Sequence, residues 1–173
     1  MAALVTAVAS LCVPAPLHAE ERATIDLQPA ALYFGPRGSR SEISVIGFTY
    51  GNRHDSLFPY FGAGVGFFTL QARGGITWMP GDLEESGLIV RLEAQPQLLF
   101  NPCVEPLLLG TLGVGWRWPL ERGDPGNPGT AIFVLPAFAG GDGFLHQNCG
   151  KDTQGPMRSS LILGGTLFAG FDW

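Results

Sequence analysis

The stretch LIVRLEAQPQLLF, residues 88–100, carries Leu88, Val90, Leu92, Ala94, Pro96, Leu98 and Phe100 at its even positions, all apolar. Its odd positions include Arg91, Glu93, Gln95 and Gln97. A period of two is the side-chain period of a β-strand, so this strand has one apolar face and one polar face. The next segment repeats the pattern. Val104, Pro106, Leu108, Gly110, Leu112, Val114, Trp116 and Trp118 share one face, and Glu105, Thr111, Gly113, Gly115 and Arg117 lie on the other. In the last segment the odd positions Leu161, Leu163, Gly165, Leu167, Ala169, Phe171 and Trp173 are apolar, opposite Ser160, Gly164, Thr166, Gly170 and Asp172. Strands of a soluble sandwich average about 5 to 6 residues. A strand that crosses the hydrocarbon layer at a tilt needs about 9 to 11, and only a closed barrel leaves no unpaired backbone in lipid. The length of these segments favours the membrane.

Composition agrees. Of 173 residues 46% are hydrophobic and 14% charged, against a usual charged share of about 25%. Twenty-five Gly and 14 Pro punctuate short apolar segments along the whole chain and disfavour long helices. After residue 19 no run of about 18 apolar residues escapes Gly or Pro; in the nearest, residues 56–72, Pro59, Gly62, Gly64 and Gly66 intervene. The net charge is −5, and the Arg residues are scattered singly, so nucleic acid is not an expected partner.

Residues 2–13 form an apolar run followed by Pro14, Ala15, Pro16, Leu17, His18 and Ala19, then the charged Glu20, Glu21 and Arg22. This reads as a secretory signal over residues 1–19, with the barrel in 20–173. Export removes Cys12 and leaves Cys103 and Cys149 in an oxidising compartment, where one disulfide is expected. No Cys or His spacing suits zinc, and neither a metal nor a cofactor is expected.

The expected fold is all-β, a single closed antiparallel up-and-down transmembrane barrel of eight strands near 24–34, 42–51, 58–71, 74–80, 87–100, 104–119, 130–140 and 159–173. With both chain ends in the periplasm, Trp116, Trp118 and Trp173 fall at the periplasmic ends of their strands, where an interfacial aromatic girdle belongs. Cys103 and Cys149 then fall in external connections. An eight-stranded barrel has room inside for its own side chains only, so Arg91, Glu93, Gln95, Gln97 and Arg117 are expected to fill the lumen as a charge-paired network. Gly62, Gly64 and Gly66 leave them space.

The run Phe58-Pro59-Tyr60-Phe61-Gly62-Ala63-Gly64-Val65-Gly66-Phe67-Phe68 resembles a strand common in small OmpA-like and opacity-type outer-membrane barrels. The spacing of Leu167, Ala169, Phe171 and Trp173 is similar to the C-terminal assembly signal of outer-membrane proteins. This resemblance implies the outer membrane of a Gram-negative bacterium, contact with its lipid and lipopolysaccharide, and insertion by the barrel assembly machinery with periplasmic chaperones. It implies no single activity, since such barrels include adhesins, anchors, channels and lipid A enzymes. An envelope structural or interaction protein is the first expectation.

Two alternatives make distinct demands. A lipid A-modifying enzyme needs Ser, His and an acid that converge near the outer leaflet. His54, Asp55 and Ser56 are adjacent and read as a polar turn, while Asp142, His146 and Cys149 fall in an external segment, so no catalytic residue is assigned. A soluble periplasmic barrel of lipocalin type would turn every strand over, with Leu88, Val90 and Leu92 inside and Arg91, Glu93 and Gln95 in solvent.

Overall fold

Alternating β-branched, aromatic and aliphatic residues hold the chain extended, and the polar residues between them decide which face turns inward. In the computed structural model, residues 20–28, 31–35, 38–42, 45–81, 85–100, 104–121, 129–146 and 157–173 are described. They form ten strands: β1 Glu20–Gln28, β2 Ala31–Gly35, β3 Gly38–Glu42, β4 Val45–Arg53, β5 Leu57–Val65, β6 Thr69–Trp78, β7 Gly87–Phe100, β8 Val104–Pro119, β9 Ala131–His146 and β10 Met157–Asp172. Each pairs antiparallel with its neighbours, in the order β1-β4-β5-β6-β7-β8-β9-β10, and β10 pairs with β1 to close the ring. β2 continues the line of β1 along β10, and β3 continues that of β4 along β2. The wall therefore has eight staves, the first built from β1 and β2 and the second from β3 and β4.

Register fixes the tilt. Ala23 lies opposite Tyr50, Tyr50 opposite Phe61, Phe61 opposite Gly74, then Ala94, Gly110, Gly140 and Leu163 in turn, and Leu163 returns to the first stave at Phe34. One circuit climbs 34 − 23 = 11 residues where it closes on β2, and 10 in the direct β1–β10 register, in which Leu27 lies opposite Ala169. At ~3.3 Å per residue against eight spacings of ~4.8 Å, this inclines the strands by about 44° to the barrel axis.

The expected boundaries of the third and fourth strands, 58–71 and 74–80, are corrected. β5 ends at Val65 and β6 starts at Thr69, so the reversal lies at 66–68 and not near 72–73. The fourth strand is full length, and Arg73, between the two expected strands, is buried inside the wall. The misplacement has a simple origin: the apex residues are Phe67 and Phe68, which carry no turn signal and do not interrupt the apolar run. Gly66 belongs to this reversal, whereas Gly62 and Gly64 are on β5. The seventh strand, expected at 130–140, continues to His146, which places Asp142 and His146 within β9. The first and second staves begin earlier than expected, at Glu20 and Gly38. The signal segment 1–19 and both Cys103 and Cys149 lie outside the described residues.

Polarity is the inverse of a soluble protein's. Leu92 is 60% exposed and Leu112 53%, while Arg91 is 3% and Glu93 2% exposed. One face of each stave carries exposed apolar side chains that join into an outward belt, and the buried charged side chains, with apolar ones such as Leu109, Leu135 and Phe168, point to the axis. A soluble monomer rarely exposes apolar patches beyond a few hundred Å².

Candidate functional site

The lumen is built from one side of each stave. Its centre is Arg73 on β6, whose guanidinium donates from Nη1 to Asp26 Oδ1 at 2.6 Å and makes a two-pronged pair with Glu93, Nε to Oε1 and Nη2 to Oε2, both at 3.0 Å. Planar guanidinium and carboxylate match in such a fork, which fixes direction as well as charge. Glu93 also accepts from the Tyr60 hydroxyl at 2.5 Å and from the Gln95 amide. Arg91 donates to Asp26 Oδ2 at 3.2 Å and to Thr77 Oγ1 at 3.3 Å. Its guanidinium also lies 5.0 Å from the Phe133 ring centre and 5.3 Å from that of Tyr60, in range of a cation–π contact.

Glycine makes the room. A Cβ on Gly47 would sit 2.7 Å from Asp26 Oδ1 and 3.2 Å from Arg73 Cζ, and one on Gly64 would sit 2.7 Å from Gln71 Cγ. Towards the end where Trp173 lies, Arg117 Nε donates to Asp172 Oδ2 at 2.9 Å, with Arg22 Nη2 3.6 Å from the same oxygen. Beside this pair is a cavity of about 20 Å³ lined by Arg22, Arg91, Arg117 and Asp172 among others, room for roughly one water. Towards the opposite end, Gln28 donates to Thr166 Oγ1 at 2.7 Å, and Leu99, Leu107, Leu109, Ala139 and Ile162 pack into an apolar stopper.

The five lumen residues expected from sequence are all buried, but they are not one cluster. Arg91, Glu93 and Gln95 meet through Asp26 and Arg73. Arg117 belongs to the separate pair with Asp172. Gln97 is buried without a hydrogen-bond partner for either amide atom among the described residues. Sequence reasoning passed over Asp26, Arg73, Tyr60 and Arg22 as lumen partners. Asp26 sits between Ile25 and Leu27, so the alternation that exposed Glu93 marks it too. Tyr60 gives no such signal, because an aromatic side chain suits either face.

Buried charges among the described residues are four cations, Arg22, Arg73, Arg91 and Arg117, and four anions, Asp26, Glu93, Glu105 and Asp172. Paired in this way they can stay ionised out of water. The arrangement braces the staves against one another. No group of three or more His, Cys, Asp or Glu among the described residues could hold a metal. His54, Asp55 and Ser56 form the reversal between β4 and β5, with His54 N donating to Leu57 O at 2.7 Å and Asp55 at φ 52°. Positive φ at the first apex residue is what a tight hairpin requires.

The outer surface is ordered as well. Trp116, Trp118 and Trp173 are each about two-fifths exposed at the same end of the barrel, and Trp78, passed over in the sequence, joins them. Leu167, Phe171 and Trp173 point outward along β10, and Trp173 exchanges backbone hydrogen bonds with Ala23 at 2.8 and 3.0 Å. From Trp116 up to Val104 is 12 residues of β8, which at ~3.3 Å per residue and the tilt of about 44° spans ~28 Å along the axis. The apolar band of a transmembrane barrel is about 25 Å tall. The whole described shape matches a known one. Over 90% of this chain and 97% of the other, it superimposes on the crystal structure of Neisserial surface protein A (NspA), with a TM-score of 0.54.

The chain has the fold of NspA. Sequence identity with NspA is 9%, so the likeness is one of architecture: a closed eight-stave antiparallel barrel. No family model matches the chain, and no curated protein does.

Proposed function

We propose that the protein is a small outer-membrane β-barrel of the Gram-negative envelope, exported with loss of residues 1–19, that serves as a structural or interaction element and has a lumen filled by its own side chains. The observation that carries this reading is the inverted polarity: an apolar belt about as tall as the hydrocarbon layer, bounded on one side by four Trp, around a core of paired charges. Lipid and lipopolysaccharide are the partners of the belt. The outward row Leu167, Ala169, Phe171 and Trp173 is the segment offered to the barrel assembly machinery and its chaperones. The architecture shared with a Neisserial surface protein supports the same location.

The test is fractionation of cells that express the full chain, followed by gel migration with and without boiling. Recovery in the outer-membrane fraction with heat-dependent mobility is expected. Recovery in the soluble periplasmic fraction without detergent would overturn the proposal.

A further inference from the structure

Two reversals of similar size close the hairpins at either end of β5, with opposite chemistry. The one before β5 has Asp55 and Ser56 at its apex, ordinary turn formers that suit water. The one after it has Phe67 and Phe68. Phe67 is 86% exposed and Phe68 56%, while Gly66 N donates to Thr69 O at 2.8 Å and Phe100 N to Phe68 O at 2.8 Å. The apex is thus tied by backbone to β6 and β7, and its rings point away from the wall. Nothing charged occurs between Asp55 and Arg73.

Height explains the choice of residue. On β6, Trp78 lies at the level of the other Trp, and Thr69, at the apex end, is 9 residues away. At ~3.3 Å per residue and ~44° of tilt this is about 21 Å, less than the ~25 Å of a barrel's apolar band. β8 and β9, at 16 residues each, reach well beyond that level. The rim is therefore cut low at the β5–β6 hairpin. Around the notch, Val65, Leu70, Leu98 and Phe100 are exposed as part of the same outward belt.

We propose that the Phe67–Phe68 apex is a lipid contact: it ends at the acyl–headgroup boundary of the outer leaflet, and acyl chains, not a protein or the medium, cover its rings. The inference rests on the outer-membrane reading above. The belt that covers Val65 and Leu70 continues without a break onto Phe67 and Phe68, which makes lipid the occupant. Placed there, the apex pins the low side of the rim to the bilayer surface.

The experiment uses single-Cys variants, Phe67→Cys and, as a mid-belt control, Leu92→Cys, in a Cys12→Ala/Cys103→Ala/Cys149→Ala background. Each is labelled with an environment-sensitive fluorophore and refolded into phosphatidylcholine vesicles with bromines placed at shallow or deep acyl positions. Position 67 is expected to be quenched several-fold more by shallow than by deep bromines, and position 92 by deep ones. Quenching at 92 with none at 67, together with ready reaction of the Phe67→Cys thiol with a membrane-impermeant maleimide, overturns the lipid contact alone. Absence of quenching at both positions overturns the membrane reading on which it rests. A Phe67→Ser/Phe68→Ser variant that still shows heat-dependent mobility but dissociates a label at Val65 from the shallow bromines supports the pinning role; unchanged quenching at Val65 counts against it.

Discussion

Replacing Arg73 with Met removes the guanidinium that joins Asp26 to Glu93. The substitution deletes hydrogen bonds of 2.6, 3.0 and 3.0 Å from side chains that are essentially fully buried. Asp26 keeps Arg91 at 3.2 Å, but Glu93 is left with two neutral donors, Tyr60 and Gln95. Breaking a buried ion pair from one side typically costs about 3–5 kcal/mol, because the remaining charge is stranded. A loss of about 4 kcal/mol is expected here, nearly a thousandfold in the folding equilibrium. Urea titration of protein refolded into vesicles, followed by Trp emission and by the unboiled gel band, measures it. Adding Glu93→Gln removes the stranded charge and is expected to recover about 2 kcal/mol as coupling between the two sites. A single-variant loss below ~1 kcal/mol, or additivity of the two substitutions within ~0.5 kcal/mol, would refute the idea that this pair braces the lumen.

Other substitutions probe other layers. Phe138→Arg places a cation outward and six residues above Ile132 on β9, close to mid-belt, and should destabilise the barrel in vesicles by ~2–4 kcal/mol; an unchanged urea midpoint would contradict lipid exposure at that position. Gly47→Ala drives a methyl into Arg73 and Asp26 and should cost ~1–3 kcal/mol by overpacking, read as a lower urea midpoint with an unchanged slope. Gln97→Leu removes a buried carboxamide without partners among the described residues and should be neutral or stabilising by up to ~1 kcal/mol; a loss of more than that in the same titration would mean that the amide is satisfied.

The eight-stave barrel was legible because a half-polar wall forces period two on the sequence. Residues 87–100 and 104–119 were correctly bounded for that reason alone. Reading stopped where a reversal carried no turn signal. Phe67 and Phe68 carry none of the turn chemistry that marks Asp55 and Ser56, so the expected strand ran on to residue 71 and Arg73 was passed over. The lumen was legible in part of its membership and not in its pairing. That Arg91, Glu93 and Arg117 face the axis follows from their own neighbours in sequence. That Arg73 takes Asp26 and Glu93, while Arg117 takes Asp172, depends on the stagger of the registers around the ring, a quantity that no local pattern encodes.

The hydrogen bonds between Ala23 and Trp173 have a consequence for biogenesis. The join that completes the cylinder is made by residues 150 positions apart, so the most distant pairing among the described residues is also an indispensable one. Until Trp173 is available, every intermediate carries two raw margins of unpaired backbone, each able to recruit a stranger. Truncation by a single terminal strand would therefore change the fate of the molecule: a sealed ring becomes a sheet with sticky borders, and self-association replaces insertion.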